Sequence, residues 1–152
     1  MRFVLVDRIL EMVPGQSIKA LKHVDPDEEY FKDHFPGFPI VPGVLLSEMM
    51  AQCAGKCLDA ETLDRGKAML ARITRADFRH WVQPGQDCIL FSKIKKSRPQ
   101  YATAETWIEV LDIKVCSAEL MFSFMPFDTF ASDYKDTVLA DFLKNRSREN
   151  HA

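Results

Sequence analysis

A chain of 152 residues, 47% of them hydrophobic and 28% charged, is long enough to form one globular domain with its own core. The formal net charge of -2 and the sequence pI of about 6.1 exclude a broadly basic nucleic-acid-binding surface. No stretch approaches the roughly 18 apolar residues of a membrane span, and the apolar run from Phe3 to Val6, broken by Asp7, is too short for a secretory signal.

Residues 2–13 and 16–24 alternate loosely around Pro14-Gly15, which predicts a strand, a turn and a second strand. Asp25-Pro26-Asp27-Glu28-Glu29 combines an N-cap, a proline at the first helical position and early acidic residues, so a short helix is expected to start there. His34 to Gly43 holds three prolines and two glycines in ten residues, a stiff loop rather than a regular element. From Pro42 to about Leu58 the pattern is helical. Val44, Leu45, Leu46, Met49, Met50, Ala51, Cys53 and Ala54 cover nearly the whole circumference, which marks a buried helix with Gly55 as a weak point.

Residues 59–66 are polar and end that helix. Four predicted strands follow, at Ala68–Phe78, Cys88–Lys96, Tyr101–Val110 and Lys114–Phe124, joined by turns at Pro84-Gly85, Arg98-Pro99-Gln100 and Asp112. One early buried helix and a run of strands imply an α+β fold with an antiparallel sheet wrapped around the helix. After Pro126, Phe130, Tyr134, Val138 and Phe142 recur every four residues, with acidic residues early and basic residues late. They predict a second, amphipathic helix over 127–146, within a 127–152 extension packed on the 1–126 domain. The four cysteines include no CxxC pair; Cys53 and Cys57 read as small buried apolar residues, and a reduced, cytoplasmic protein is expected.

Glu48 is the anomaly in the apolar helix. Either its face meets solvent or a subunit boundary, or the carboxyl is buried, keeps its proton and serves as an acid. Gln52, one turn on, is positioned to orient it by hydrogen bonding. His34 sits in the proline-stiffened loop, either as a surface or structural hydrogen-bonding residue or as a base held with little entropy to lose. Gly43, in the first helical turn, has an N–H without an intrahelical partner, suited to polarising a carbonyl oxygen; for Gly37 a turn requirement is the better explanation.

His34-Phe35-Pro36-Gly37, Pro42-Gly43-Val44-Leu45, Glu48 and Gln52 resemble the signature of the β-hydroxyacyl-acyl-carrier-protein dehydratases, down to the fourteen positions from His34 to Glu48. Leu5-Val6-Asp7-Arg8, Phe78-Arg79 and Pro84-Gly85 extend the likeness over about residues 2–125. Glutamate at position 48 is similar to the fatty-acid-elongation members, whereas relatives that also isomerise the double bond carry aspartate. The resemblance implies a hot-dog fold and a homodimer in which His34 of one chain faces Glu48 of the other, a dimer of the kind that often assembles further into a trimer of dimers.

It also implies dehydration of 3-hydroxyacyl thioesters borne on the phosphopantetheine of an acyl carrier protein, with no metal or organic cofactor, no nucleic acid and no membrane insertion. His34 is then the base, Glu48 the acid, Gly43 the oxyanion donor and Gln52 the orienting residue. Leu45 and Met49 are candidates for the acyl tunnel. Arg72, Arg75, Arg79, Lys93, Lys95, Lys96 and Arg98 are candidates for docking an acidic carrier. Three departures from the family pattern stand out. An N-terminal helical segment is almost missing, the 127–146 helix is additional and is expected to cover bare surface, pack across a dimer or cap the tunnel, and Phe38 and Trp81 replace basic residues and proline. The rival readings are a hot-dog acyl thioesterase and a non-catalytic acyl-binding subunit; the intact His34–Glu48 pair argues against both.

Overall fold

The computed structural model describes residues 1–61, 65–130 and 134–150, the last four as backbone only. Strands β1 (Arg8–Val13) and β2 (Ser17–His23) form a hairpin across Pro14-Gly15, and the Gly15 N–H donates to the Cys57 carbonyl at 2.9 Å. Helix α1 (Gly43–Asp59) is followed by β3 (Lys67–Phe78), β4 (Asp87–Ser97), β5 (Tyr101–Val110) and β6 (Ile113–Met125), and helix α2 (Thr137–Asn150) is the last element among the described residues. The six strands make one antiparallel sheet in the order β1-β2-β4-β5-β6-β3.

The sheet wraps α1 because its inner face is built from small residues. Ala20, Cys88, Ala102, Ala104 and Ala118 are buried beneath the helix and let it approach, while Met49, Met50, Cys53 and Cys57 fill the space from above. The strict alternation along β5 (Ala102, Ala104, Thr106, Ile108 and Val110 inward) is the period-2 pattern read from the sequence. Val44, by contrast, is 76% exposed, so α1 is not apolar-and-buried all round: its first turn projects from the core.

Three expected boundaries shift. The first strand begins at Arg8 rather than residue 2, although Leu5 and Val6 are buried. The expected helix start at Asp25 is a turn closed by the Asp27 N–H on the Asp25 carboxylate at 2.9 Å, and only a 3-10 turn follows at Glu29–Lys32. The second helix begins at Thr137 because Asp136 caps it, accepting the Leu139 N–H at 3.0 Å. Phe127–Thr129 is a separate 3-10 turn, and Phe130 and Tyr134 meet ring to ring at 5.0 Å outside the helix; residues 131–133 of the expected helix lie outside the described residues.

Candidate active site

Glu48 stands on the second turn of α1, half-buried, facing a cavity of about 520 Å³. One carboxylate oxygen accepts from Gln52 Nε2 at 3.1 Å. The Gln52 amide is fixed in turn: its Oε1 accepts the Leu5 N–H at 2.8 Å, and Nε2 also donates to the Phe3 carbonyl at 3.1 Å. The N-terminal segment thereby sets which end of the amide faces Glu48, so the helical spacing of four is reinforced by backbone from another part of the chain.

His34 is held on a separate wall. Its backbone N–H donates to the Tyr30 carbonyl at 2.9 Å and its carbonyl accepts from Ile40 at 3.0 Å, while the ring stacks on Phe35 at 4.0 Å. His34 Nδ1 lies 3.2 Å from the Ile40 carbonyl. A carbonyl only accepts, so this hydrogen bond requires the proton on Nδ1 and leaves Nε2 with a free lone pair. Gly37 takes a φ of +77° in the turn closed by Phe35 and Phe38, whose N–H and carbonyl groups pair reciprocally at 2.9 Å; the turn accounts for this glycine.

Gly43 opens α1 behind Pro42, and among the described residues nothing accepts its N–H. That N–H sits at the positive end of a 17-residue helix. A Cβ at Gly43 would meet the Phe78 ring at 3.5 Å, ordinary contact.

One chain therefore brings together Glu48 and Gln52, whereas His34 does not line the cavity beside Glu48. Neither tunnel candidate lines the cavity beside Glu48: Met49 is buried in the core and Leu45 packs against it. For Met49 the reason is helical phase, since the next residue along the chain points about 100° away from Glu48. The cavity is walled instead by Phe3, Val4, Ala51, Gly55, Leu70 and Phe122, with Tyr134 and Val138 at its far side. Lys56 and Asp136, absent from the sequence reading, form a mostly buried ion pair of 2.7 Å there. The signal was present: Lys56 follows Glu48 and Gln52 at steps of four.

The basic residues do not form one undivided patch. Arg75 pairs with Asp77 at 2.7 Å and Lys95 with Glu105 at 3.7 Å, while Lys93 lies over the Trp107 ring, 5.6 Å from its centroid. Lys95 and Lys96 line a depression with Glu105 and Glu119, and Arg72 and Arg79 are exposed along and just after β3. Phe38 and Trp81 meet edge to face at 6.4 Å on the surface. Burial pushes the Cys53, Cys88 and Cys116 thiols up to about 12 and Cys57 to about 11, so none is poised as a nucleophile.

A family model described as FabA-like domain matches residues 1–119. The chain belongs to that family. This FabA-like protein is 36% identical over 122 residues to the 3-hydroxyacyl-acyl-carrier-protein dehydratase FabZ of Listeria monocytogenes, covering 80% of this chain and 85% of the relative. It is 42% identical over 118 residues to the FabZ of Pediococcus pentosaceus, covering 77% and 79%. Among solved structures, the E. coli PaaI protein from the phenylacetic acid degradation operon superposes with a TM-score of 0.65 at 13% identity, covering 80% of each chain. The dehydratase heterocomplex ApeI:P from Xenorhabdus doucetiae gives 0.58 at 19% identity, covering 74% of this chain and 92% of that one. At such identities the likeness shows the fold alone, which is the hot-dog fold. No helix among the described residues is long and apolar enough to cross a membrane.

Proposed function

We infer that this FabA-like protein dehydrates 3-hydroxyacyl thioesters to trans-2-enoyl thioesters in fatty-acid or related acyl-chain synthesis. The observation that carries this reading is the setting of Glu48, a carboxyl held by Gln52 on the wall of an apolar cavity. Its family setting, beside FabZ dehydratases aligned over most of the chain, points the same way.

In this mechanism His34 Nε2 takes the proton from the carbon next to the thioester carbonyl. The electron pair left behind spreads onto the carbonyl oxygen, where the Gly43 N–H stabilises it. As the carbon–carbon double bond forms, the β-hydroxyl leaves with the proton of Glu48 as water. Each general acid or base contributes about 10²–10⁴-fold, and a well-placed N–H donor about 10²–10³-fold.

The substrate thiol is the phosphopantetheine of an acyl carrier protein, and Arg72, Arg79, Lys93, Lys96 and Arg98 are the docking candidates without an ion pair among the described residues. The working unit is a homodimer in the cytoplasm, with His34 of one protomer facing Glu48 of the other. Two features favour it. Glu48 is only half-buried in one chain, which leaves its carboxyl open to a second protomer. Strand β3 is a twelve-residue sheet edge with Met69, Leu70, Ile73 and Phe78 exposed, an apolar edge of the kind that proteins cover. All four cysteines are buried free thiols, in keeping with a reducing compartment.

The test is turnover of 3-hydroxybutyryl and crotonyl thioesters by purified protein. Their interconversion is expected, falling at least about 10²-fold in His34→Ala and in Glu48→Gln with folding retained. Release of free thiol without interconversion would instead mean a thioesterase, and unchanged rates in either variant would remove that residue from its role.

A further inference from the structure

The cavity beside Glu48 has a feature that the chemistry does not use. Gly55 lies inside α1, where glycine costs about 1 kcal/mol relative to alanine. It is buried, yet a Cβ built on it would have no packing neighbour within 4 Å. Gly43 has the Phe78 ring against it; Gly55 faces open space. A buried helical position facing emptiness is the wall of a cavity, and the missing side chain is what keeps that cavity open.

We propose that this cavity takes the acyl chain of the substrate, with Gly55 as a specificity-determining residue and the segment from Tyr134 to Val138 as the end wall. The proposal rests on the dehydratase reading. Glu48 marks the reacting end, and Gly55 lies seven residues on, about 10 Å along the helix axis. Between them the walls are Phe3, Val4, Ala51, Leu70 and Phe122, apolar surface suited to methylenes. The volume of about 520 Å³ suits a small-molecule moiety.

Three lysines line the same space: Lys135 belongs to the end-wall segment itself, and two have carboxylate partners, Lys56 with Asp136 at 2.7 Å and Lys67 with Asp59 at 2.6 Å. The first of these pairs also fixes the end wall, because Asp136 caps α2 two residues before Val138. The family match stops at residue 119, so the wall is made by sequence outside the matched region. The length of acyl chain accepted is thereby set by a segment of this chain's own.

The experiment measures kcat/KM for a series of 3-hydroxyacyl thioesters of increasing chain length. Gly55→Leu fills the open space and is expected to lower the ratio of long-chain to short-chain kcat/KM by about tenfold or more, with a melting temperature at or above that of the unaltered protein. Val138→Ala withdraws the end wall and is expected to move the same ratio the other way. Gly55→Ala, a smaller insertion with better helix propensity, reads out the trend should the leucine variant fold poorly. Unchanged ratios in folded, active Gly55→Ala and Val138→Ala variants overturn this inference and leave the dehydratase reading standing. No turnover by the unaltered protein at any chain length overturns both.

Discussion

The two halves of α1 differ in how far one chain completes them. From Cys53 to Asp59 the side chains are answered within the chain, with Gly55 as the opening onto the cavity: Cys53, Cys57 and Leu58 are in the core, Lys56 is paired with Asp136, and Asp59 with Lys67. From Gly43 to Gln52 the helix is partly open, with Val44 exposed, Glu48 half-buried and the Gly43 N–H unanswered among the described residues. The candidate chemistry lies on the open half and the structural polar groups on the closed half. Polar groups used for folding are satisfied inside the chain, while those available for catalysis keep capacity for a substrate or a second subunit.

The closed half breaks most severely at the Lys56–Asp136 pair, whose side chains are only 10% and 16% exposed. Asp136→Asn keeps an oxygen to cap α2 but leaves a buried lysine charge without its partner. The expected cost is about 3–5 kcal/mol of unfolding free energy, read from urea melts. Lys56→Met combined with Asp136→Asn removes the orphaned charge and should recover most of the loss. A single variant as stable as the unaltered protein would show that water, not Asp136, satisfies Lys56.

The open half is probed at Gly43. Proline is tolerated at the first helical position, and Pro42 already has the extended backbone (φ -56°, ψ 137°) that a following proline demands. Gly43→Pro therefore deletes one N–H while keeping the helix. Turnover is expected to fall about 10²–10³-fold with the melting temperature nearly unchanged. Gly43→Ala retains the N–H, sets a methyl against Phe78 at ordinary contact and should stay within about threefold of the unaltered rate, since surface-compatible changes usually act weakly. Equal losses in both variants would assign the effect to the glycine's shape rather than its donor.

The same contrast governs what was legible in the sequence. The strands, the proline-rich loop and α1 were readable because alternation and proline placement are local signals, and Tyr101–Val110 matches to the residue. Glu48 and Gln52 were readable because a polar pair four apart interrupts an apolar helix. Lys56 continued that ridge but carried no sign of its partner, which lies eighty residues away in sequence. The start of α2 was misjudged because Phe130 and Tyr134, where the four-residue recurrence begins, lie outside the helix, and the capping role of Asp136 sets its start. Exposure of β3 on both faces was invisible for a different reason: whether a strand is an edge depends on sheet order, not on its own residues.

The smallest expected effect comes from Asp59, where the closed half carries its burial cost. The Asp59 carboxylate accepts the Ala68 N–H at 2.9 Å and pairs with Lys67 at 2.6 Å. Burial nevertheless raises its pKa above the usual 3.8, with Lys67 and the Ala68 N–H pulling it only part of the way back. The folded chain then holds this proton to higher pH than the unfolded chain does. Below the ordinary aspartate value both states are protonated, and above the raised value neither is. Between the two the folded state binds more protons, so stability falls as pH rises across that window. Asp59→Asn removes the titration. The stability of the unaltered protein relative to this variant, from urea melts at successive pH, should decline across the window and level off above it. A difference that rises with pH instead would mean that the Lys67 charge outweighs burial, and that this pair stabilises the closed half rather than merely being tolerated in it.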